Sequence, residues 1–409
     1  MTTQLRVLDP AEWDAWYAAI VAAFGGIPDA AEEVELWREL IVADRSLGVW
    51  DGSACVAATS TFPFRISVPG GAVVPAAGVT GVGVLPTHRR RGLLTAMMRR
   101  QLDDVRERGE SLAVLTASEP AIYGRFGYGI ATMALSAEID TARVRVQLPP
   151  GADEVRLRYA KVEESLARCE ELYARLVPRR PGMLARVPGW DRFGVIDPES
   201  YREGGSPLQC VLAERDGELV GYARYRVAVE SEPAGAKGTV RLKDLEAEDP
   251  AVAATLWRYL FEIDLTSTLK VRTRPVDDPF QHLVSDVRRC GIRLRDSLHV
   301  RLVEVGPALE ARTYAAPVDV VLEVEDAFCP WNAGRWRLTG DTKGATCVRT
   351  EDPAELALSV RELGAAYLGG CTLASLAGAG RVRELRPGAL AEASTAFGSE
   401  LAPWLPHGF

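Results

Sequence analysis

The apolar and polar positions of this 409-residue chain switch between two periods, and each switch marks an element. Residues 79–85, VTGVGVL, are small or β-branched and carry no charge, which predicts a buried strand. Pro86 ends it. From Leu93 onward Leu94, Met97, Met98, Leu102 and Val105 recur at helical spacing, and Gly109 occupies a helix C-terminal position. Upstream, Trp13, Trp16, Ile20 and Phe24 fall on one face of a helix predicted over 11–24. A second helix is predicted over 30–43, carrying Val34, Leu36, Trp37 and Leu40. Strands are predicted at 5–8, 47–50, 54–63, 65–68, 73–77 and 111–117, with turns at Asp51-Gly52 and Pro69-Gly70-Gly71.

Pro149, Pro150 and Gly151 form a break. Beyond it a helix is predicted over 163–176, a hairpin over 209–226 turning at Asp216-Gly217, and a strand over 239–245. Asp249 is an N-cap ahead of Pro250 for a helix over 251–262. Farther on come a strand at 318–324 and a hairpin turning within Asn332-Ala333-Gly334. Asp352, Pro353 and Glu355 resemble a capping box for a helix over 353–368, which Gly369-Gly370 ends. Gly378-Ala379-Gly380 reads as helix packing. The fold class is α/β (α+β), with domains at 1–148, 149–297 and 298–409.

Apolar content of 47% and charged content of 25% are ordinary globular values. No apolar run is long enough to span a bilayer, and the first residues lack a signal peptide's basic and apolar regions, so a cytoplasmic protein with no membrane partner is expected. Seven scattered cysteines without a Cys-x-x-Cys pair, and four histidines, argue against a disulfide framework or a metal site. A net charge of −8 disfavours nucleic acid as a partner.

Against that acidic background one turn is basic: His88, Arg89, Arg90, Arg91 and Gly92 lie between the predicted strand and helix. Arginines at a helix N-terminus oppose its partial positive charge. The arrangement makes sense when a polyanion sits there, held by backbone N–H groups and guanidinium forks; the alternative is a solvated basic turn. A Walker loop is excluded because no Gly-Lys-Ser/Thr follows. A dinucleotide fingerprint is excluded because Pro86 stands where its third glycine belongs. The turn matches the Arg-x-x-Gly-x-Gly/Ala pyrophosphate loop of the GNAT acetyltransferase superfamily, with Leu94 in the last small-residue position. Directly after the strand at 111–117 comes SEPAIYGRFGYG, in which a tyrosine beside a thioester site is suited to protonate a leaving thiolate. Phe126 and Tyr128 read as packing.

With THRRRGLL, IYGRFGYG, CPWNAGRWRL near residue 330, ASLAGAGRVRELRPGAL near residue 380 and an aromatic end at Phe409, the whole chain resembles the enhanced-intracellular-survival family of GNAT N-acetyltransferases. That resemblance implies two tandem GNAT-like domains, the second without a cofactor loop, followed by a sterol-carrier-protein-like domain, assembled as a homohexamer. It places acetyl-CoA on Val82, Gly83 and Val84, on Arg90, Arg91, Gly92, Leu93, Leu94 and Thr95, and on Ser118 and Glu119. It makes Tyr123 the general acid and the Phe409 carboxylate, delivered by the last domain, the general base. Phe24 and Trp37 are implied in the substrate pocket, and Gly81 replaces a bulky residue beside the cofactor strand. The acceptors implied are amines: aminoglycosides, polyamines or lysine side chains, acetylated by direct transfer. The proline and aromatic content of APWLPHGF favours a docked end. The alternative is a non-catalytic protein that binds acyl-CoA or a lipid as effector.

Overall fold

In the computed structural model, which describes residues 3–233 and 235–409, strands account for most of the scaffold. In chain order they are β1 (Gln4–Val7), β2 (Ser46–Asp51), β3 (Ala54–Ser67), β4 (Val73–Val84), β5 (Leu112–Thr116), β6 (Gly129–Ile130) and β7 (Met133–Asp140). They continue with β8 (Arg156–Ala160), β9 (Leu184–Ala185), β10 (Gln209–Arg215), β11 (Glu218–Ala228), the small hairpin β12 (Ser231–Glu232) and β13 (Gly235–Ala236), β14 (Gly238–Ala247), β15 (Thr266–Pro275), β16 (Arg293–Asp296) and β17 (Leu298–Leu302).

The first sheet runs β1-β2-β3-β4-β5-β17-β6, with β9 added to β3, and the second, read from its far edge, β8-β10-β11-β14-β15-β7-β16. Each sheet contains one parallel pair, β4 with β5 and β14 with β15. A parallel pair needs a crossover. It is supplied by α3 (Leu93–Glu107) in the first half and α5 (Pro250–Phe261) in the second, while α1 (Trp13–Ala23), α2 (Ala31–Leu40) and α4 (Val162–Leu176) lie between β1 and β2 and after β8. The two halves therefore share one strand order although no sequence repeat links them.

They also exchange a strand. β7 sits between β15 and β16 of the second sheet, and β17 between β5 and β6 of the first. Domain cuts at 148 and 297 thus leave both strands on the wrong side of their hydrogen bonds. Such an exchange is invisible to periodicity, because a strand pattern does not name its partner.

The third sheet, β18 (Val318–Glu325), β19 (Gly334–Asp341), β20 (Gly344–Arg349), β21 (Leu356–Ser359) and β22 (Val382–Glu384), has the order β20-β19-β18-β21-β22. Residues 356–359 are a strand and not the start of a helix. Leu356 and Leu358 pair in parallel with Leu322 and Val324 of β18, and the helix begins at Val360 with Ser359 as N-cap. The hydroxyl of Ser359 accepts from Arg361 N and contacts Glu362, so the cap lies several residues beyond Asp352. Val360 and Leu363 share one buried cluster with Val300 of β17, which seats this domain against the first sheet. Among the described residues no helix is long and apolar enough to cross a membrane.

Candidate active site

β4 and β5 pair only through Ala77–Gly78 and Ala113–Val114, and then diverge. The divergence coincides with a bulge. Ala58 faces Gly83 and Ser60 faces Thr80, so β4 carries one residue more than β3. Gly81 lies in that bulge with φ of +60°, which an L side chain rarely adopts, and a Cβ there would stand 3.0 Å from Ile20 Cδ1. This explains glycine at a position where the family resemblance calls for a bulky residue. Between the parted strands opens a cavity of about 870 Å³.

The basic turn forms one end of the cavity. Arg90 and Gly92 both have positive φ, 61° and 80°. Gly92 caps α3 without any side-chain bond, and the helix's ladder begins with Ala96 N donating to Gly92 O at 3.0 Å. The N–H groups of Leu93, Leu94 and Thr95 are thus without helical partners and lie on the cavity wall. Arg89 Nε and Arg91 Nη2 donate to the carbonyls of Val84 and Thr87, and among the described residues no carboxylate pairs with Arg89, Arg90 or Arg91. Free amides, a positive helix end and guanidinium groups without carboxylate partners form a donor set that fits a diphosphate.

The second half supplies the contrast. At the corresponding helix, α5, Asp249 Oδ1 accepts from Ala251 N at 2.9 Å and Val252 N at 3.0 Å, while its Oδ2 pairs with Arg215 at 2.7 Å. An internal carboxylate occupies the helix end that a phosphate would need.

Of the residues singled out in the sequence, Val82, Gly83, Val84, Arg90, Gly92, Leu93, Leu94, Thr95, Ser118, Glu119, Tyr123, Phe24 and Phe409 all line this cavity. Two do not. Arg91 turns back to the Thr87 carbonyl. Trp37 packs in an aromatic group with Phe62, Trp190 and Phe193, at centroid distances of 5.8, 6.1 and 4.8 Å. The wall also includes Arg89, His88, Thr116, Ile122 and Arg125. Arg125 lies inside IYGRFGYG, where its charge among aromatics was a visible signal; Thr116 is recognisable only once β5 is seen to part from β4.

Tyr123 belongs to a 3-10 turn over Pro120–Phe126, with its ring edge-on to the buried Tyr128 at 6.0 Å. Burial, and then the charge of Glu119, push its phenol up to about 12, so it is a proton donor and not a base near neutral pH. Phe409, on the same cavity wall, is docked. Its ring meets Phe64 of β3 edge-on at 5.0 Å, and two residues earlier His407 lies between Tyr173 and Trp190.

Comparison with known proteins places this geometry. The acetyltransferase (GNAT) domain family matches residues 4–131 and again, as a second such family, residues 182–302; the sterol carrier protein domain family matches residues 305–406. An uncharacterized N-acetyltransferase of Streptomyces avermitilis is 69% identical over 409 residues, covering 100% of both chains. N-acetyltransferase Eis of Mycobacterium tuberculosis is 33% identical over 413 residues, with 98% of each chain covered. The crystal structure of Eis1 from Mycobacterium abscessus superposes with a TM-score of 0.84 at 33% identity, over 100% of both chains. The chain belongs to the enhanced-intracellular-survival (Eis) family of GNAT N-acetyltransferases.

Proposed function

We propose that this N-acetyltransferase uses acetyl-CoA to acetylate amines by direct transfer in a ternary complex, with Tyr123 as general acid and the carboxylate of Phe409 as general base. The observation that carries the reading is the shared cavity, whose wall combines the basic turn, the tyrosine and the last residue. Acetyl-CoA supplies an activated acyl group on a thioester. The N–H groups of Leu93, Leu94 and Thr95, with Arg90 and Arg89, hold the diphosphate, and Val82, Gly83 and Val84 lie along the pantetheine arm.

An acceptor ammonium must lose a proton before attack. The Phe409 carboxylate attracts the ammonium form, orients it, and takes up its proton as positive charge develops on nitrogen. Tyr123 donates its phenolic proton to the departing sulfur. Phe24, more than half exposed on the same wall, offers a face to the acceptor. Assembly as a homohexamer in the cytoplasm completes the proposal and is tested by sedimentation and fractionation. The activity is tested by following thiol release from acetyl-CoA with a panel of aminoglycosides, polyamines and lysine peptides, with product masses recorded. Amine-dependent release is expected; tight CoA binding with no release across the panel contradicts the reading and favours an effector-binding protein.

A further inference from the structure

The second half has its own cleft, built the same way as the first. β14 and β15 pair from Gly238 to Leu242 and part beyond it. β14 too is bulged: Arg224 faces Asp244 and Tyr225 faces Leu242, so Lys243 is the extra residue. Between the parted strands lies a separate cavity of about 560 Å³, lined by Lys243, Asp244 and Glu246 of β14 and by Arg272 and Thr273 of β15. It shares no wall residue with the cofactor cavity. The remaining side is closed by Trp190, Phe193 and the tail residues Pro406, His407 and Gly408.

Its chemistry is not that of the first cleft. Asp249 blocks the helix end, so no backbone cradle for a diphosphate exists here. Instead the wall carries six cationic side chains against three acidic ones. The arginines share acids: Asp197 is divided between Arg202 at 3.1 Å and Arg226 at 2.6 Å, and Glu203 between Arg241 at 3.6 Å and Arg272 at 3.0 Å. Asp244 is taken by Arg224. Lys243, the bulged residue, is exposed and has neither a side-chain hydrogen bond nor an ion pair among the described residues. The carboxyl of Glu246, a residue only 5% exposed, has no hydrogen-bond or ion-pair partner among the described residues, yet Glu246 lines the same cavity. A buried carboxyl that lines a cavity without a hydrogen bond of its own is costly until a ligand satisfies it, and the exposed Lys243 and the arginines make the same wall cationic.

We propose that the cleft between β14 and β15 is a second ligand site, which binds a small molecule bearing a carboxylate or phosphate and a hydrogen-bond donor. The oxyanion pairs with Lys243 and with the Nη1 of Arg226 that Asp197 leaves free. The donor, a hydroxyl or an amine, bonds Glu246. The site is independent of the acetyl-transfer reading, since none of its wall belongs to the first cleft.

The test is calorimetric titration of the full chain, saturated with CoA, with citrate and with glucose 6-phosphate as separate probes; these distinguish carboxylate from phosphate ligands. Binding of one probe per chain is expected, weakened roughly tenfold or more in Lys243→Glu and kept within about twofold in Lys243→Arg. Arg90→Glu, titrated without CoA, is expected to keep probe affinity while losing affinity for CoA. No binding of either probe overturns the proposal, as does binding unaffected by Lys243→Glu or lost in Arg90→Glu. CoA affinity is measured on the same samples, so failure here is separable from failure of the cofactor site.

Discussion

The ring of Phe409 stands edge-on to the ring of Phe64, with centroids 5.0 Å apart and planes at 70°. Phe64 is fully buried in β3, so the last residue is tied to the rigid part of the first sheet. The tie continues through Phe62, Trp190 and Trp37, each in ring contact with the next. Chain ends ordinarily fray. Here aromatic packing holds an end on the wall of the cavity that contains Tyr123.

Loosening this contact should cost position more than stability. Phe64→Leu is expected to destabilise by about 1 kcal/mol, from lost packing and the lost ring pair. kcat should fall roughly tenfold, with CoA affinity unchanged. Two residues appended after Phe409 should impair turnover at least as much. Thermal melts and steady-state kinetics check both.

Tyr123→Phe is expected to lower kcat by about 10²-fold, the scale of a lost general acid, with the dissociation constant of CoA unaltered. The pH profile carries a further sign. Because burial holds the phenol near 12, its proton stays in place well past the ordinary tyrosine range, so kcat should not fall on the alkaline side before about pH 10. An alkaline fall centred near pH 8 would assign the acid role elsewhere.

Two helix ends offer a matched pair of substitutions. Gly92→Ala forces a side chain into φ of +80° and should cost about 1–2 kcal/mol while weakening CoA binding. Asp249→Ala removes two cap bonds and should cost about 1 kcal/mol with CoA binding unchanged. Equal effects on CoA would mean that the second helix end also holds the coenzyme.

Acid should release the tail through His407. Burial first, and then the positive charge of Arg186, hold its imidazole down to about 3. Asp244 and Lys243 face it as well. The folded state thus prefers the neutral ring. The stability it contributes is present above about pH 6.5, the unfolded value, and is lost as pH falls toward 3. Thermal melts should show a smaller loss between pH 6.5 and pH 4 in His407→Phe than in the parent chain.

Much of the first cleft was legible in the residues. Pro86, the arginines, Gly92 and the helical spacing from Leu94 to Val105 located a strand, a basic turn and a helix, and α3 starts at Leu93. Local chemistry sufficed because the turn sits between its own strand and helix. Features set by distant partners were not legible. LALSV at 356–360 satisfies both periods, and only pairing with β18 makes its first four residues a strand. The resemblance implies Trp37 in the pocket, whereas Phe62, Trp190 and Phe193 close around it. The exchange of β7 and β17 depends on pairing across more than a hundred residues of chain, and the cleft at Lys243 on a bulge that only its partner strand reveals.

A crystal structure with CoA bound decides whether the first cleft holds the coenzyme as its residues suggest. The diphosphate is expected on the N–H groups of Leu93, Leu94 and Thr95 beside Arg90, and the coenzyme sulfur within roughly 3.5 Å of the Tyr123 hydroxyl. Coenzyme bound in the cleft between β14 and β15, or a sulfur out of reach of that hydroxyl, would contradict that expectation.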